Sequence, residues 1–454
     1  MNKLRGLSIG IVFLLAGLVA SAPVGAKNIG GDPPRRCSIC GPCSQASTAG
    51  PGSNCSSSTA GDSASTGSLT EGNTSQSYPV STVSSSTGLQ LNLTLSYDIY
   101  NADTLRARLD TVAGTGWTHS ENAFLYSVRG HMFRVGGDGR VTKYQLGAGG
   151  SFTAAPGYFE KMVKNPDGSF TITTKDQTAS RFERIAGRPF MSGMQIWRLT
   201  RVTDRNNNVT VLAYSGGNLM SVTDTYGRSL GFTYNAQKKI ASVTDPLSRV
   251  TTFSYDATGT KLEKITDPAG KTTQYNYNFL WQITGKTDKD GRSTSYAYTN
   301  QKPTGINDGS GTPYFSLANP SNWVIDDTAL ARDMVRQYLP GTTTRTDGRG
   351  NIWKYDYDSR AYVTRTVAPD GATWTYAYDP TTLMIASQTD ANGRVTSYQY
   401  DTQGNLIKRT DALNNVTSYT YEPVFNMMTS MTDANGRTTT YQYDARGNRV
   451  KQTD

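Results

Sequence analysis

From residue 201 onward, apolar and polar positions recur in blocks of about 21 residues. Each block can be counted from a slot held by Asp204, Asp224, Asp245, Asp267, Asp288, Asp347, Ala368, Asp390, Asp411 and Asp433. Eight residues after the slot stands a large apolar or aromatic residue: Leu212, Phe232, Phe253, Tyr275, Tyr296, Tyr355, Tyr376, Tyr398, Tyr419 and Tyr441. Ten residues after it stands tyrosine without exception: Tyr214, Tyr234, Tyr255, Tyr277, Tyr298, Tyr357, Tyr378, Tyr400, Tyr421 and Tyr443. Side chains alternate along a strand with period two, so positions eight and ten share a face. The Thr, Tyr and Phe around them suit a pleated surface.

Turns bound these strands. Three residues after the slot stands Gly in seven blocks and Asn in two (Asn207, Asn414), residue types that tolerate positive φ. A second turn follows the aromatic pair, as in Asp401-Thr402-Gln403-Gly404 and Asp444-Ala445-Arg446-Gly447. An aliphatic residue stands five before the next slot, such as Leu219, Ile240, Leu262, Ile283, Ile385, Leu406 and Met428. Each block therefore reads as a β-hairpin with one aromatic face. A single hairpin is marginal in water, whereas a series buries a continuous ladder in which each unit seals its neighbour. Apart from the step from 288 to 347, slots lie 20 to 22 residues apart. The expected fold class is all-β: repeated hairpins in a long strip or curled sheet.

The run from Thr389-Asp390-Ala391-Asn392-Gly393-Arg394 through Tyr398-Gln399-Tyr400-Asp401 to Gly404-Asn405-Leu406 resembles the Rhs/YD-repeat family. Leu95-Ser96-Tyr97-Asp98 followed by Gly114-Thr115-Gly116-Trp117 resembles the family's opening segment, and Val202-Thr203-Asp204-Arg205-Asn206-Asn207-Asn208 its first repeat. The likeness covers roughly residues 88 to 454. It implies a spiral β-sheet wound into a hollow YD shell, as in bacterial toxin cocoons and the teneurin ectodomain, with this chain forming the N-terminal portion. Periodicity alone gives the hairpins, not the shell. In the family a core segment with an Asp-Pro-x-Gly-Leu type pattern cleaves itself. Asp245-Pro246 and Asp267-Pro268 lack the Gly-Leu that should follow, so neither self-cleavage nor toxicity carries over.

Upstream the pattern changes. Residues 1–26 read as a secretory signal, with Lys3 and Arg5 ahead of the apolar run Leu7 to Ala20 and a small-residue cleavage site at Val24-Gly25-Ala26. That run is short for a membrane span, and no membrane span is expected after cleavage. Residues 27–88 are rich in Ser, Thr, Gly and Pro, with too little apolar surface to offset chain entropy, and read as a flexible tether. Residues 89–200 read as a β-rich lead-in, with strands expected at Leu89 to Tyr97, Phe124 to Val128 and Phe170 to Thr174. Repeats then occupy 201–298 and 346–454, around an insertion at 299–345. In that insertion Asp326 and Asp327 are placed to cap a short helix lined by Leu330, Met334 and Tyr338.

Composition changes this picture little. At 454 residues the chain exceeds one ordinary core, and 45 Gly with 27 Tyr fit a turn-rich β protein. The formal charge of +9 invites nucleic acid, but much of the excess sits four after the slot (Arg228, Arg249, Lys271, Arg292, Arg394, Arg437), as solvated turn residues beside Asp. No nucleic-acid partner is expected. Cys37, Cys40, Cys43 and Cys55 all lie in the tether. The Cys40-Gly41-Pro42-Cys43 redox pattern lacks its strand-helix-strand setting, so structural disulfides lead, with a metal site from the Cys-x-x-Cys-x-x-Cys spacing as the alternative. Loops such as Asp288-Lys289-Asp290-Gly291 and Asp433-Ala434-Asn435-Gly436 begin like calcium sites but lack the downstream bidentate Glu. Turn hydrogen bonding accounts for their Asp and Asn.

With only His119 and His131, histidine-based catalysis lacks parts, and one Asp per turn is a structural pattern. No catalytic residue, cofactor or metal ligand is assigned. The leading expectation is a secreted or cell-surface, non-enzymatic repeat scaffold that encloses or presents a C-terminal effector. An uncapped last hairpin points the same way, since terminal repeats usually carry a protective cap. The alternative is a stand-alone adhesin that binds a cell-surface glycan through its Tyr-rich face or the 299–345 insertion. Solvent exposure of the aromatic columns discriminates between the two.

Overall fold

The computed structural model describes residues 66–68, 73–83, 89, 91–98, 112–139, 141–185, 195–299, 302–307, 313–318, 323–325, 336–338, 340–360 and 362–454. Among these every regular element is a strand, apart from a short 3-10 turn at Ala148–Gly150. The fold is all-β, as the hairpin pattern predicts.

Two sheets carry the architecture. In the larger, Phe124–Val128, His131–Val135, Val141–Leu146, Phe152–Thr153, Lys161–Lys164, Phe170–Thr173, Ala179–Glu183 and Ile196–Thr203 pair antiparallel in chain order. The last of these strands then pairs back with the first, Ile196 opposite Tyr126 and Arg198 opposite Phe124, which closes the sheet on itself. Further along the same edge, Arg201 lies opposite Val211 and Thr203 opposite Val209. One strand therefore both closes a ring and launches the repeat ribbon.

From Val209–Ser215 to Arg449–Thr453 the ribbon pairs each strand with its neighbours, and its far end returns to the ring. The amide of Gly157 donates to the Gln403 carbonyl at 2.8 Å, the Lys161 ammonium reaches the Val424 carbonyl, and Arg205 reaches that of Gly447. Turns of the lead-in thus touch turns of the last units. This is a curled sheet in which a later coil lies against an earlier one.

The smaller sheet joins Thr66–Ser68, Asn73–Val83, Leu91–Asp98 and Trp117–His119. Period-two burial of Leu91, Leu93, Leu95 and Tyr97 gives it an apolar face, which shares one core with Leu212, Phe232, Phe253, Tyr275, Tyr296 and Ile306 of the ribbon. Polar pins fix the two together. Gln76 Nε2 donates to the Tyr296 hydroxyl at 2.9 Å, Trp117 Nε1 to that of Tyr277 at 2.9 Å, and the Tyr97 hydroxyl to the Trp281 carbonyl at 3.0 Å.

Three expectations need revision. Residues 73–83, within the stretch read as tether, form a long strand. Its own apolar content is low, but pairing with Leu91–Asp98 supplies a backbone ladder, and Tyr78, Val80 and Val83 pack against the core. The 299–345 segment is not wholly an insertion: Lys302–Asn307, Pro313–Ala318 and Gly341–Asp347 continue the ribbon, and among the described residues Trp323–Ile325 with Arg336–Tyr338 forms a separate strand pair. Tyr338 sits on that hairpin rather than on a helix, while Asp326, Asp327, Leu330 and Met334 lie outside the described residues. The signal segment 1–26 and Cys37, Cys40, Cys43 and Cys55 also lie outside them.

The third position after every slot has positive φ, including Ser248 at 62°, where no other block has serine. A non-glycine L-residue held in the left-handed region carries a cost of about 1 kcal/mol or more. Ser248→Gly should therefore raise stability by about 1 kcal/mol in urea unfolding, with no change in secondary structure.

Candidate functional site

The slot aspartates are turn residues in geometry. In the turn at Asp224, the Gly227 amide donates to the Asp224 carbonyl and the Asp224 amide to the Arg228 carbonyl, both at 3.0 Å. The Asp224 carboxylate Oδ1 accepts from the amides of Tyr226 and Arg228 at 2.9 and 3.0 Å, and Oδ2 accepts from Arg228 Nε at 2.8 Å. Asp204, Asp245, Asp267, Asp288, Asp347, Asp390, Asp411 and Asp433 accept the same pair of amides. At Ala368 the backbone turn persists, and Asp370 takes the Ala372 amide instead. With both lone-pair directions of Oδ1 filled from within the turn, these carboxylates are poorly placed to accept a substrate proton.

The tyrosines at position ten form a second regular device. Nine donate their hydroxyl to the carbonyl of the residue fifteen positions earlier, at 2.6–3.0 Å: Tyr214 to Leu199, Tyr234 to Leu219, Tyr255 to Ile240, Tyr277 to Leu262, Tyr298 to Ile283, Tyr378 to Val363, Tyr400 to Ile385, Tyr421 to Leu406 and Tyr443 to Met428. The accepting residue is the aliphatic one five before the slot. Tyr357 departs from this because Gly341–Asp347 pairs in straight register after the insertion, and its hydroxyl meets the Thr343 side chain instead. Burial pushes the Tyr421 phenol up to about 12 and raises those of Tyr255, Tyr277 and Tyr400 as well.

A β-bulge accompanies each of these tyrosines. The register shifts between positions nine and ten in all ten hairpins, so that Tyr234 faces Ile240 while Phe232 faces Val243. Residues five and two before the slot therefore share a face although three positions separate them. Strict period-two counting misses this second column. Its signal is the recurring three-residue step in Ile240/Val243 and Leu262/Ile265.

The face that these columns build differs along the array. In the first five units it is sealed: Leu212, Phe232, Phe253, Tyr275 and Tyr296 are each at most 6% exposed beneath the smaller sheet. Their cross-strand partners are Val222, Val243, Ile265, Lys286 and Ile306. In the last five units Tyr355, Tyr376, Tyr398, Tyr419 and Tyr441 are only half-buried, and their partners are Thr366, Gln388, Arg409, Met431 and Gln452. This half-exposed, Tyr-lined polar face, closed at its first unit where Thr343, Tyr357 and Thr366 are buried, is the candidate functional surface.

The remaining candidates have structural surroundings. His119 is buried with its ring 5.9 Å from Phe232, and His131 Nδ1 accepts from the Leu146 amide. Arg228 and Arg249 pair with Asp224 and Asp245 at 2.7 and 2.6 Å. Among the described residues no three His, Cys, Asp or Glu gather as metal ligands, and no helix is long and apolar enough to cross a membrane.

Two pH limits follow. The amide of Asn415, then the turn N–H groups, hold Asp411 below its ordinary 3.8, and Asn351 and Asn448 do the same for Asp347 and Asp444. Depressed carboxylates stabilise fully above that value and lose their contribution as pH falls below it. The raised tyrosines stabilise fully below 10.0 and lose their contribution as pH rises above it. Stability should fall at both limits, with phenolate absorbance appearing in step with unfolding on the alkaline side. Tyr400→Phe should lower unfolding stability by about 1 kcal/mol, since it leaves the Ile385 carbonyl without its partner.

The RHS Repeat family matches residues 234–272, 384–416, 400–434 and 425–454. No curated protein matches. Among solved structures, the Photorhabdus luminescens Tc holotoxin pore with a mutated TccC3 is 11% identical over 84% of this chain and 22% of that one, at TM-score 0.40. TcdB2-TccC3 without its hypervariable C-terminal region is 11% identical over 84% and 22%, at TM-score 0.41. TcdB2-TccC3-Cdc42 is 12% identical over 81% and 23%, at TM-score 0.34. The chain spans about a fifth of the length of these chains. Such scores are too low to carry the fold assignment, which rests on the strands and their register. The matched segments lie on the hairpin units just described, and those units are repeats of the Rhs/YD type.

Proposed function

We propose that the chain is a non-enzymatic scaffold, exported through residues 1–26, whose uncovered inner face encloses or presents an effector segment. The observation that carries this reading is the division of the inner face. The protein's own smaller sheet fills it over the first five units and leaves Tyr355, Tyr376, Tyr398, Tyr419 and Tyr441 half-exposed over the last five. A stable monomer seldom leaves an extended aromatic strip without a partner. The contacts of Gly157 with Gln403 and Arg205 with Gly447 support a wall rather than a flat ribbon, because they fix the curvature of one coil against the other. Occupation of both Oδ1 lone-pair directions in the slot carboxylates supports a role without catalysis.

The test is made on the exported product of the whole gene. Its N-terminus should begin at Lys27, and a segment encoded in the same frame beyond the codon for Asp454 should resist protease until the array is unfolded. A product that stays in the cytoplasm with residues 1–26 attached would overturn export. A gene that stops at that codon, or a downstream segment digested as fast as free peptide, would overturn enclosure.

A further inference from the structure

A row of turns in the lead-in and first repeat docks against a row of turns in the last units. The first row comprises the turns at 155–158, 174–177 and 204–207, the second those at 401–404, 422–426 and 444–447. Contact between them is made one group at a time. The Gly157 amide donates to the Gln403 carbonyl, and the backbones come so close that a Cβ on Gly404 would run into Gly157. The Lys175 ammonium faces the rings of Phe159 and Tyr421, 4.6 and 5.3 Å from their centroids. Lys161 lies 5.4 Å over Phe425 and reaches the Val424 carbonyl, and Arg205 reaches that of Gly447 at 3.5 Å.

This joint is soft beside its neighbours. Inside the ribbon strands are joined by continuous ladders, as where Lys408 to Thr410 pair with Val416 to Ser418. The first coil is pinned by buried groups. The Thr115 amide donates to the Thr260 carbonyl at 2.7 Å and the Ile240 amide to the Val112 carbonyl at 2.8 Å, with Val112, Ala113, Ile240 and Leu262 at most 4% exposed. At the joint Phe159, Tyr421 and Phe425 are only half-buried. Burial lowers the Lys175 pKa, and the charges of Asp401 and Glu422 raise it only in part, so this contact carries a desolvation cost.

We propose that the wall parts along this line: the last units swing off the lead-in as one flap, with their ladders intact, and open the half-exposed face from the side. Segments with few buried apolar contacts open locally at a fraction of the free energy of global unfolding. The three cations mark the joint as a docked surface, because all stand on one side and meet carbonyls, rings and carboxylate charge on the other. Parting rests on the curvature of the wall and holds whatever the wall encloses.

Hydrogen exchange on the full chain tests this. The Gly157 amide should be protected, yet exchange about a hundredfold or more faster than the ladder amides of Val416–Tyr421. Gly404→Ala and Gly436→Ala place comparable strain on a left-handed glycine, at φ 92° and 77°, but a Cβ at Gly436 meets nothing within 4 Å. Gly404→Ala should therefore abolish protection at Gly157 while Val416–Tyr421 stays protected, and Gly436→Ala should leave Gly157 as in the wild type. In the Gly404→Ala chain Lys175, which belongs to a different contact, should become acetylated as fast as the exposed Lys164. Lys161→Ala removes a contact without touching a turn and should quicken Gly157 exchange about fivefold. Exchange of Gly157 in step with the ladder in the wild type and in Lys161→Ala would overturn the proposal. So would equal loss of Gly157 protection in Gly436→Ala, or a Lys175 that stays shielded once Gly157 is open.

Discussion

The hydroxyl of the tenth-position tyrosine holds the array together. Strands within the ribbon meet at two alternating kinds of seam. At the slot turn the ladder is short, Ser221 to Thr223 against Ser229 to Gly231, and it ends before the strands do. The Tyr234 hydroxyl reaches beyond that end to the Leu219 carbonyl and closes the gap. One such bond is worth about 1 kcal/mol, so nine in series are comparable with the whole net stability of an ordinary domain. Because each bond joins neighbouring units, the cohesion accumulates along the array. The bulge beside each tyrosine is part of the same device: it swings the accepting strand so that the aliphatic side chain faces inward while its carbonyl stays in reach.

The same unit serves two environments, and the column two before the slot shows the change most clearly. Val222, Val243 and Ile265 belong to a sealed core, whereas Gln388 and Arg409 line a half-exposed wall. The aromatic column alone is a poorer guide. Tyr275 and Tyr296 are as buried as Phe232; Tyr296 has Gln76 as partner, whereas the Tyr275 hydroxyl is buried without a hydrogen bond, which burial answers by raising its pKa.

Hairpins, turns and one aromatic face were legible because they repeat in register. Asp at the slot, Gly or Asn three later and Tyr at ten each answer a local need of the backbone, and local needs leave local patterns. What stayed hidden depends on distant partners. The Asn73–Val83 strand has the composition of a tether and becomes ordered structure through Leu91–Asp98. The strands of the 302–318 stretch lack the tyrosine column, with Ala318 standing ten after Asp308, yet they continue the ribbon by pairing alone. The inward column two before the slot was invisible to period-two counting, since a bulge shifts the period. Which half of the face is sealed follows from where the smaller sheet lies, and no repeat carries that information.

The strand Ile196–Thr203 is a junction: two strands distant in sequence, Phe124–Val128 and Val209–Ser215, share one of its edges end to end. Its length is thus the gauge that separates the first coil from the second. A bulge sets Thr200 as an extra residue between Leu199 and Arg201, so deleting it would turn the inside of every later hairpin outward relative to the ring. Drift within the repeats is absorbed locally, by a turn of one residue more or less. At this single strand the error would travel through the whole spiral, which makes eight residues the datum for all that follows.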